Sequence, residues 1–216
     1  MKKRNSLVQG IIYLALFVVL IILVKTVDVA AIGPENTEIG LSHINQTVHE
    51  VFGINMFWYK LTEVFGILAL LVVAIFAVMG LVQLIKRKSI AKVDREILCL
   101  GGVYAVTLAT YALFEKVVIN YRPIIEEGAE HVEASFPSSH TMLIVTVFAT
   151  LTFVIGEYVK ADKLQGLIRI VSLVIVCLTI VGRLVCGVHW FTDILGGCLI
   201  SLCFINLFDH FLRKAD

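Results

Sequence analysis

His189 and Asp193 stand four residues apart in "GRLVCGVHWFTDILGG". On a helix that spacing puts both on one face, where the carboxylate holds one imidazole nitrogen and leaves the other free as base or nucleophile. A second histidine, His140, follows Ser138 and Ser139 in "FPSSHTMLI", residues 136–144, at the mouth of an apolar run. Either serine suits the N-cap of a helix beginning there, and a helix N-terminus presents unpaired N–H groups to phosphate. Lys116 and Arg122 lie in "EKVVINYRP", and Arg183 shortly precedes His189. Two arginines, a lysine, two histidines, an aspartate and a helix N-terminus suit a tetrahedral, doubly charged oxyanion. Arginine forks match phosphate oxygens, and fixed positive charge stabilises a phosphoryl transition state. Each piece alone also has a plain structural reading: Arg183 paired with Asp193, Lys116 with Glu115, and the two histidines at the rims of capped helices.

These groups need a scaffold, and the composition says which. The chain has 216 residues, 59% hydrophobic and 16% charged, with a mean hydropathy of +0.93. Soluble domains are nearer 45–50% apolar and about 25% charged, so an integral membrane protein is expected. Six segments approach the roughly 20 apolar residues that span a bilayer as helix: Leu7–Val24, Val64–Ile85, Ile97–Phe114, Thr141–Val159, Leu164–Gly182 and Ile194–Leu212. Nothing reads as alternating strands. The expectation is an all-α, polytopic bundle of six transmembrane helices, one domain over residues 1–216. The N-terminal apolar run is too long for a signal core and reads as an uncut span.

Of the 18 lysines and arginines, 13 fall on one side of this arrangement. The positive-inside tendency then places both termini in the cytoplasm and loops 25–63, 115–140 and 183–193 outside. A plasma-membrane protein with its polar constellation on the outer face is expected. Phe57, Trp58 and Tyr59 read as an interfacial anchor, with lining a path for lipid as the other reading. "NQT" at 45–47 fits a glycosylation sequon. The five cysteines lack metal-ligand spacing and read as buried free thiols. Gly196 and Gly197 allow close helix packing, within the bundle or between chains, so the oligomeric state stays open. No nucleic-acid partner is expected.

The chain resembles the type 2 phosphatidic acid phosphatase superfamily of membrane lipid phosphatases. That family's motifs are K-x6-R-P, P-S-G-H and S-R-x5-H-x3-D. Here they read Lys116-x5-Arg122-Pro123, Pro137-Ser138-Ser139-His140 and Gly182-Arg183-x5-His189-x3-Asp193, spanning residues 116–193. The resemblance implies a two-step hydrolysis with neither metal nor cofactor. His189 would attack phosphorus, Asp193 would orient it, and His140 would protonate the leaving oxygen. Lys116, Arg122, Arg183, Ser138 and the backbone at Ser139 would bind phosphate.

Three departures stand out. The first motif is one residue short, turning Lys116 by about 100° if that stretch is helical. Ser139 replaces a glycine, and Gly182 replaces a serine whose hydroxyl is thereby lost. Between the first two motifs, Glu126, Glu127, Glu130 and Glu133 read either as a solvated loop or as a lid that repels small soluble phosphates. The leading function is an outer-face lipid phosphatase, with undecaprenyl pyrophosphate slightly ahead of phosphatidylglycerol phosphate and phosphatidic acid. The alternatives are a non-catalytic lipid-binding or transport protein, and a metal-dependent hydrolase using His189, Asp193 and His140 as ligands.

Overall fold

The computed structural model describes residues 5–126 and 128–213. Seven α-helices order the described chain: α1 Ser6–Thr26, α2 Ser42–Phe52, α3 Met56–Arg87, α4 Arg95–Lys116, α5 Ser139–Tyr158, α6 Asp162–Val185 and α7 Phe191–Arg213. Six of them are long and apolar enough to span a membrane; α2 is not. The expected all-α, six-span architecture is what forms, and the protein is a multi-pass membrane protein. Among the described residues the only extended pairing is two isolated bridges, Ala30 with Ile39 and Tyr121 with Ala134.

Sequence polarity decides which helices sit inside. The best 18-residue windows of α5 and α7 are 61% buried, against 17–22% for the other four spans. These two are also the less hydropathic helices. Their Thr141, Thr146, Thr150 and Ser201 are fully buried, and hydroxyls such as those of Thr150 and Ser201 bond to backbone carbonyls. The greasier α1, α3, α4 and α6 face lipid, where unpaired polar groups are costly. Glycine brings α7 against the start of α5. A Cβ at Gly196 would lie 2.6 Å from the Phe136 ring, and one at Gly197 would lie 2.9 Å from Thr141 Cβ and 3.0 Å from the Ser138 carbonyl. The small-residue face is therefore consumed inside the bundle.

Two features around the start of α3 differ from expectation. Helix α3 begins at Met56, eight residues before the expected span, because Asn55 caps it by accepting from the N–H groups of Phe57 and Trp58. Its 32 residues reach about 48 Å, more than the bilayer core, and its N-terminal end stands beside the polar site. Phe57 is exposed, whereas Trp58 and Tyr59 turn into the protein. The interfacial-anchor reading thus holds at most for Phe57. Helix α2 was hidden by its polar residues. Its Asn45 is wholly buried. The side chain accepts from Thr192 N (3.1 Å) and donates to Gly40 O (2.9 Å) and Thr192 Oγ1 (3.0 Å). The sequon asparagine is therefore a clamp on the start of α7, closed to glycosylation in this fold. The cysteines are free; Cys186 and Cys203 are buried, but Cys177 is exposed on the lipid-facing side of α6, against the expectation of burial for all five.

Candidate active site

Three chain starts and one helix end meet at one end of the bundle. Ser138 is the N-cap of α5: its Oγ accepts from Thr141 N (3.5 Å) and from Thr141 Oγ1 (3.1 Å). Its own N–H donates to the Asp193 carbonyl at 3.0 Å, which ties the start of α5 to the start of α7. With the Thr141 N–H engaged, the N–H groups of Ser139 and His140 remain as the first-turn donors without an intrahelical acceptor. Ser139 itself is half-buried.

Asp193 sits in the first turn of α7 and is fully buried. Its Oδ2 accepts from Trp190 N at 2.9 Å, a reach back to the cap residue that satisfies one helix-end donor. The same oxygen is 3.7 Å from His189 Nδ1, and Asn120 Nδ2 lies 3.4 Å from Oδ1. The two readings of this pair, cap and orienting carboxylate, describe the same oxygen. His189 is 3% exposed, and neither ring nitrogen has a hydrogen-bond partner among the described residues. Burial pushes its pKa well below the ordinary histidine range; Arg183 and Arg122 push the same way, and the Ser135 backbone pulls back weakly. The ring is therefore neutral at physiological pH. Gly187 sets the approach to it: φ is +73°, and a Cβ there would lie 2.2 Å from the Gly53 carbonyl. Any other residue would be strained and would collide.

Arg183 closes α6 and is 1% exposed. It pairs with Glu63 (NH1 to Oε1, 3.6 Å), not with Asp193. NH1 also donates to Thr62 Oγ1 at 3.3 Å, and the guanidinium lies 5.5 Å from the Tyr59 ring centroid. This explains Gly182. A Cβ there would meet Thr62 Cγ2 at 2.8 Å and Trp58 at 2.9 Å. Helix α3 fills the space of the absent serine, and Thr62 brings a hydroxyl to the arginine from another helix.

Arg122 stands on the loop between α4 and α5. That loop folds back on itself through Arg122 N to Glu133 O and Ser135 N to Asn120 O. Its guanidinium donates to Glu126 Oε1 at 2.9 Å and lies 3.3 Å from Glu133 Oε2. Two of the four loop glutamates thus fold onto the arginine; Glu127 lies outside the described residues. Replacing Glu126 and Glu133 together by glutamine should tighten the binding of inorganic phosphate several-fold, measured by its dissociation constant, because the anion would no longer compete with carboxylates for Arg122.

His140 opens α5, and its Nε2 is 2.9 Å from Glu63 Oε1. Glu63 was missed from the sequence, although it adjoins the second expected span, where an ionisable group calls for a partner. Lys116, by contrast, is the last residue of α4 and exposed. Its neighbour Glu115 lines the small polar cavity that holds Arg122, Ser139 and His189. The shortened motif turns the lysine outward. The structure therefore brings together His189, Asp193, His140, Arg122, Arg183 and the Ser138–Ser139 turn, and leaves Lys116 outside the cavity wall. Among the described residues, no group of three or more His, Cys, Asp or Glu is arranged to hold a metal ion.

This is a helical membrane protein that gathers histidines and arginines around a buried pocket at one end of its bundle. It belongs to the PAP2 superfamily, whose family model matches residues 67–215. In sequence it is 29% identical over 101 residues to phosphatidylglycerophosphatase B of Bacillus subtilis (strain 168), covering 46% of this chain and 48% of that protein. The chain thus aligns with about half the length of that relative. In fold it is similar to the crystal structure of the transmembrane PAP2 type phosphatidylglycerolphosphate phosphatase from Bacillus subtilis. The TM-score is 0.68 at 19% identity, over 96% of this chain and 98% of that one.

Proposed function

We propose that the chain is a lipid phosphatase that removes a terminal phosphate from a lipid whose tails stay in the bilayer. The observation that carries this reading is a junction. Ser139 and Tyr111 line both the polar cavity and an apolar groove of about 390 Å³. The groove runs between α3 and α4 from Glu63 to Val73, floored by Met142 and Leu143 of α5. The ten steps from Glu63 to Val73 along α3 correspond to about 15 Å, enough for a good part of an acyl chain. A phosphate in the cavity and a tail in the groove describe one amphipathic substrate.

The chemistry follows from the donors. His189 is neutral, and its Nε2 attacks phosphorus while Nδ1 turns its proton toward Asp193. The bond from phosphorus to the lipid oxygen breaks, and His140 supplies the proton that this oxygen takes. Arg122 and Arg183 hold the equatorial oxygens, with the α5 N-terminus behind them. Water then attacks the phosphohistidine, His140 takes its proton, the P–N bond breaks and inorganic phosphate leaves.

The names borne by the relatives support phosphatidylglycerol phosphate as first substrate, which reverses the order expected from the sequence and puts undecaprenyl pyrophosphate second. Lys86, Arg87, Lys88, Lys92 and Arg95 cluster where α3 ends and α4 begins, at the far end of both helices from Glu63 and Tyr111. By the positive-inside tendency that end faces the cytoplasm and the site faces outward, at the plasma membrane. The terminal basic residues Lys2, Lys3, Arg4 and Lys214 lie outside the described residues.

The test is phosphate release by the purified protein in detergent with chelator present, comparing phosphatidylglycerol phosphate, undecaprenyl pyrophosphate and phosphatidic acid. Chelator-resistant release, fastest from phosphatidylglycerol phosphate, is expected. Release abolished by chelator would move the case to a metal-dependent hydrolase. No release from any of the three would leave a lipid-binding or transport protein.

A further inference from the structure

Glu63 has no role in the steps above, yet it touches two of the groups that perform them. One of its oxygens, Oε1, lies 2.9 Å from His140 Nε2 and 3.6 Å from Arg183 NH1. Its side chain is 39% exposed and opens on the groove, not on the polar cavity. One turn further along α3, Gly66 lets the helix press against the histidine: a Cβ there would lie 3.2 Å from the His140 ring. The carboxylate is therefore held at the point where cavity becomes groove, beside the proposed proton donor.

The charges of the site are already matched. Arg122 faces Glu126 and Glu133, and Arg183 faces Glu63. An arriving phosphate must compete with these carboxylates, and a second phosphate directly behind the first comes up against Glu63 as well. Position matters as much as count. A leaving oxygen that takes its proton from His140 Nε2 sits about 3 Å from that nitrogen, the nitrogen that Glu63 Oε1 also approaches. Whatever that oxygen is attached to then projects past Glu63 into the groove. A carbon chain bearing a hydroxyl offers the carboxylate a hydrogen bond. A second phosphate offers it a like charge in an apolar groove, where screening is weak. Rejection by a fixed repulsive group is a common basis of specificity.

We propose that Glu63 is a specificity-determining residue that admits phosphate monoesters whose leaving oxygen is borne on a hydroxyl-bearing carbon chain and turns away lipid diphosphates, whose leaving oxygen is borne on a second phosphate. The proposal rests on the reading of the chain as a lipid phosphatase. It names the leaving group as the feature that is read.

The experiment uses the full chain in detergent and compares kcat/KM for phosphatidylglycerol phosphate with that for farnesyl diphosphate, in wild type, E63Q and E63D. Wild type should favour the monoester. E63Q keeps the shape and removes the charge, and should shift the ratio toward the diphosphate at least tenfold. E63D keeps the charge on a shorter stem and should go on rejecting the diphosphate even if both rates fall. The proposal is overturned if E63Q lowers both rates in parallel and leaves the ratio unmoved, which would make Glu63 a positioning residue for His140. It is overturned also if wild type favours the diphosphate. Wild type that releases phosphate from neither compound, nor from phosphatidic acid or undecaprenyl pyrophosphate, would remove the phosphatase reading itself, a result distinct from turnover with an unmoved ratio.

Discussion

Replacing His189 by glutamine is expected to lower phosphate release at least about 10⁴-fold if His189 is the nucleophile proposed above, the scale seen when a covalent nucleophile is removed from a group of residues that act together. The structural reason is that nothing else in the cavity can form the same bond. His189 is a neutral imidazole between two arginines, with both nitrogens unpartnered among the described residues. A buried ring whose nearest ionic partner among the described residues is Asp193 at 3.7 Å is poorly compensated by the protein for its burial, which is a cost to the fold. The expected companion result is that His189→Leu, equally inactive, melts no lower than wild type. A wild type less stable than its inactive variant would mark the ring as kept for chemistry.

The same depressed pKa sets a pH dependence with a definite sign. The folded chain leaves His189 unprotonated in a range where the unfolded chain, with a pKa of about 6.5, takes up a proton. Stability is therefore at its full value, with respect to this group, above about pH 6.5 and is lost as pH falls toward the depressed folded value. Melting temperature in detergent, read between pH 7.5 and pH 5, should fall further for wild type than for His189→Leu. Equal falls would mean that other groups carry the acid sensitivity.

Six spans and their order were legible because hydropathy and length act within each segment. The candidate site residues were legible because their spacings are local: His189 and Asp193 are four apart, and Ser138 caps its own helix. What escaped depends on contacts between distant segments. Asn45 reads as a surface sequon until Thr192, 147 residues away, is placed against it. Glu63 reads as the edge of a span until α3 meets α5 and α6. The absent hydroxyl at Gly182 reads as a loss, and only the packing of Trp58 and Thr62 into that space shows how another helix takes it over. Lys116 is the opposite case. The shortened spacing already indicated a turned side chain, and α4 ends there with the lysine exposed.

Arg183→Lys should lower kcat by about 10²–10³-fold, the effect of removing one fixed donor from a charged transition state, although it preserves the formal charge. The arginine makes several contacts at once: it donates to Thr62, lies near Glu63 and stacks on Tyr59. Its flat fork can keep these contacts and still offer N–H groups to phosphate, and its Nε has no partner among the described residues. A lysine ammonium is a point charge that satisfies either Glu63 or the substrate. At 1% exposure the site admits little water to make up the difference. The measurement is single-turnover phosphate release alongside KM for phosphatidylglycerol phosphate. A large fall in kcat with a small change in KM is expected, because the fork matters most as charge spreads over the transferring phosphoryl oxygens. A rise in KM alone would assign Arg183 to ground-state binding and leave Arg122 and the α5 N-terminus to stabilise the transition state.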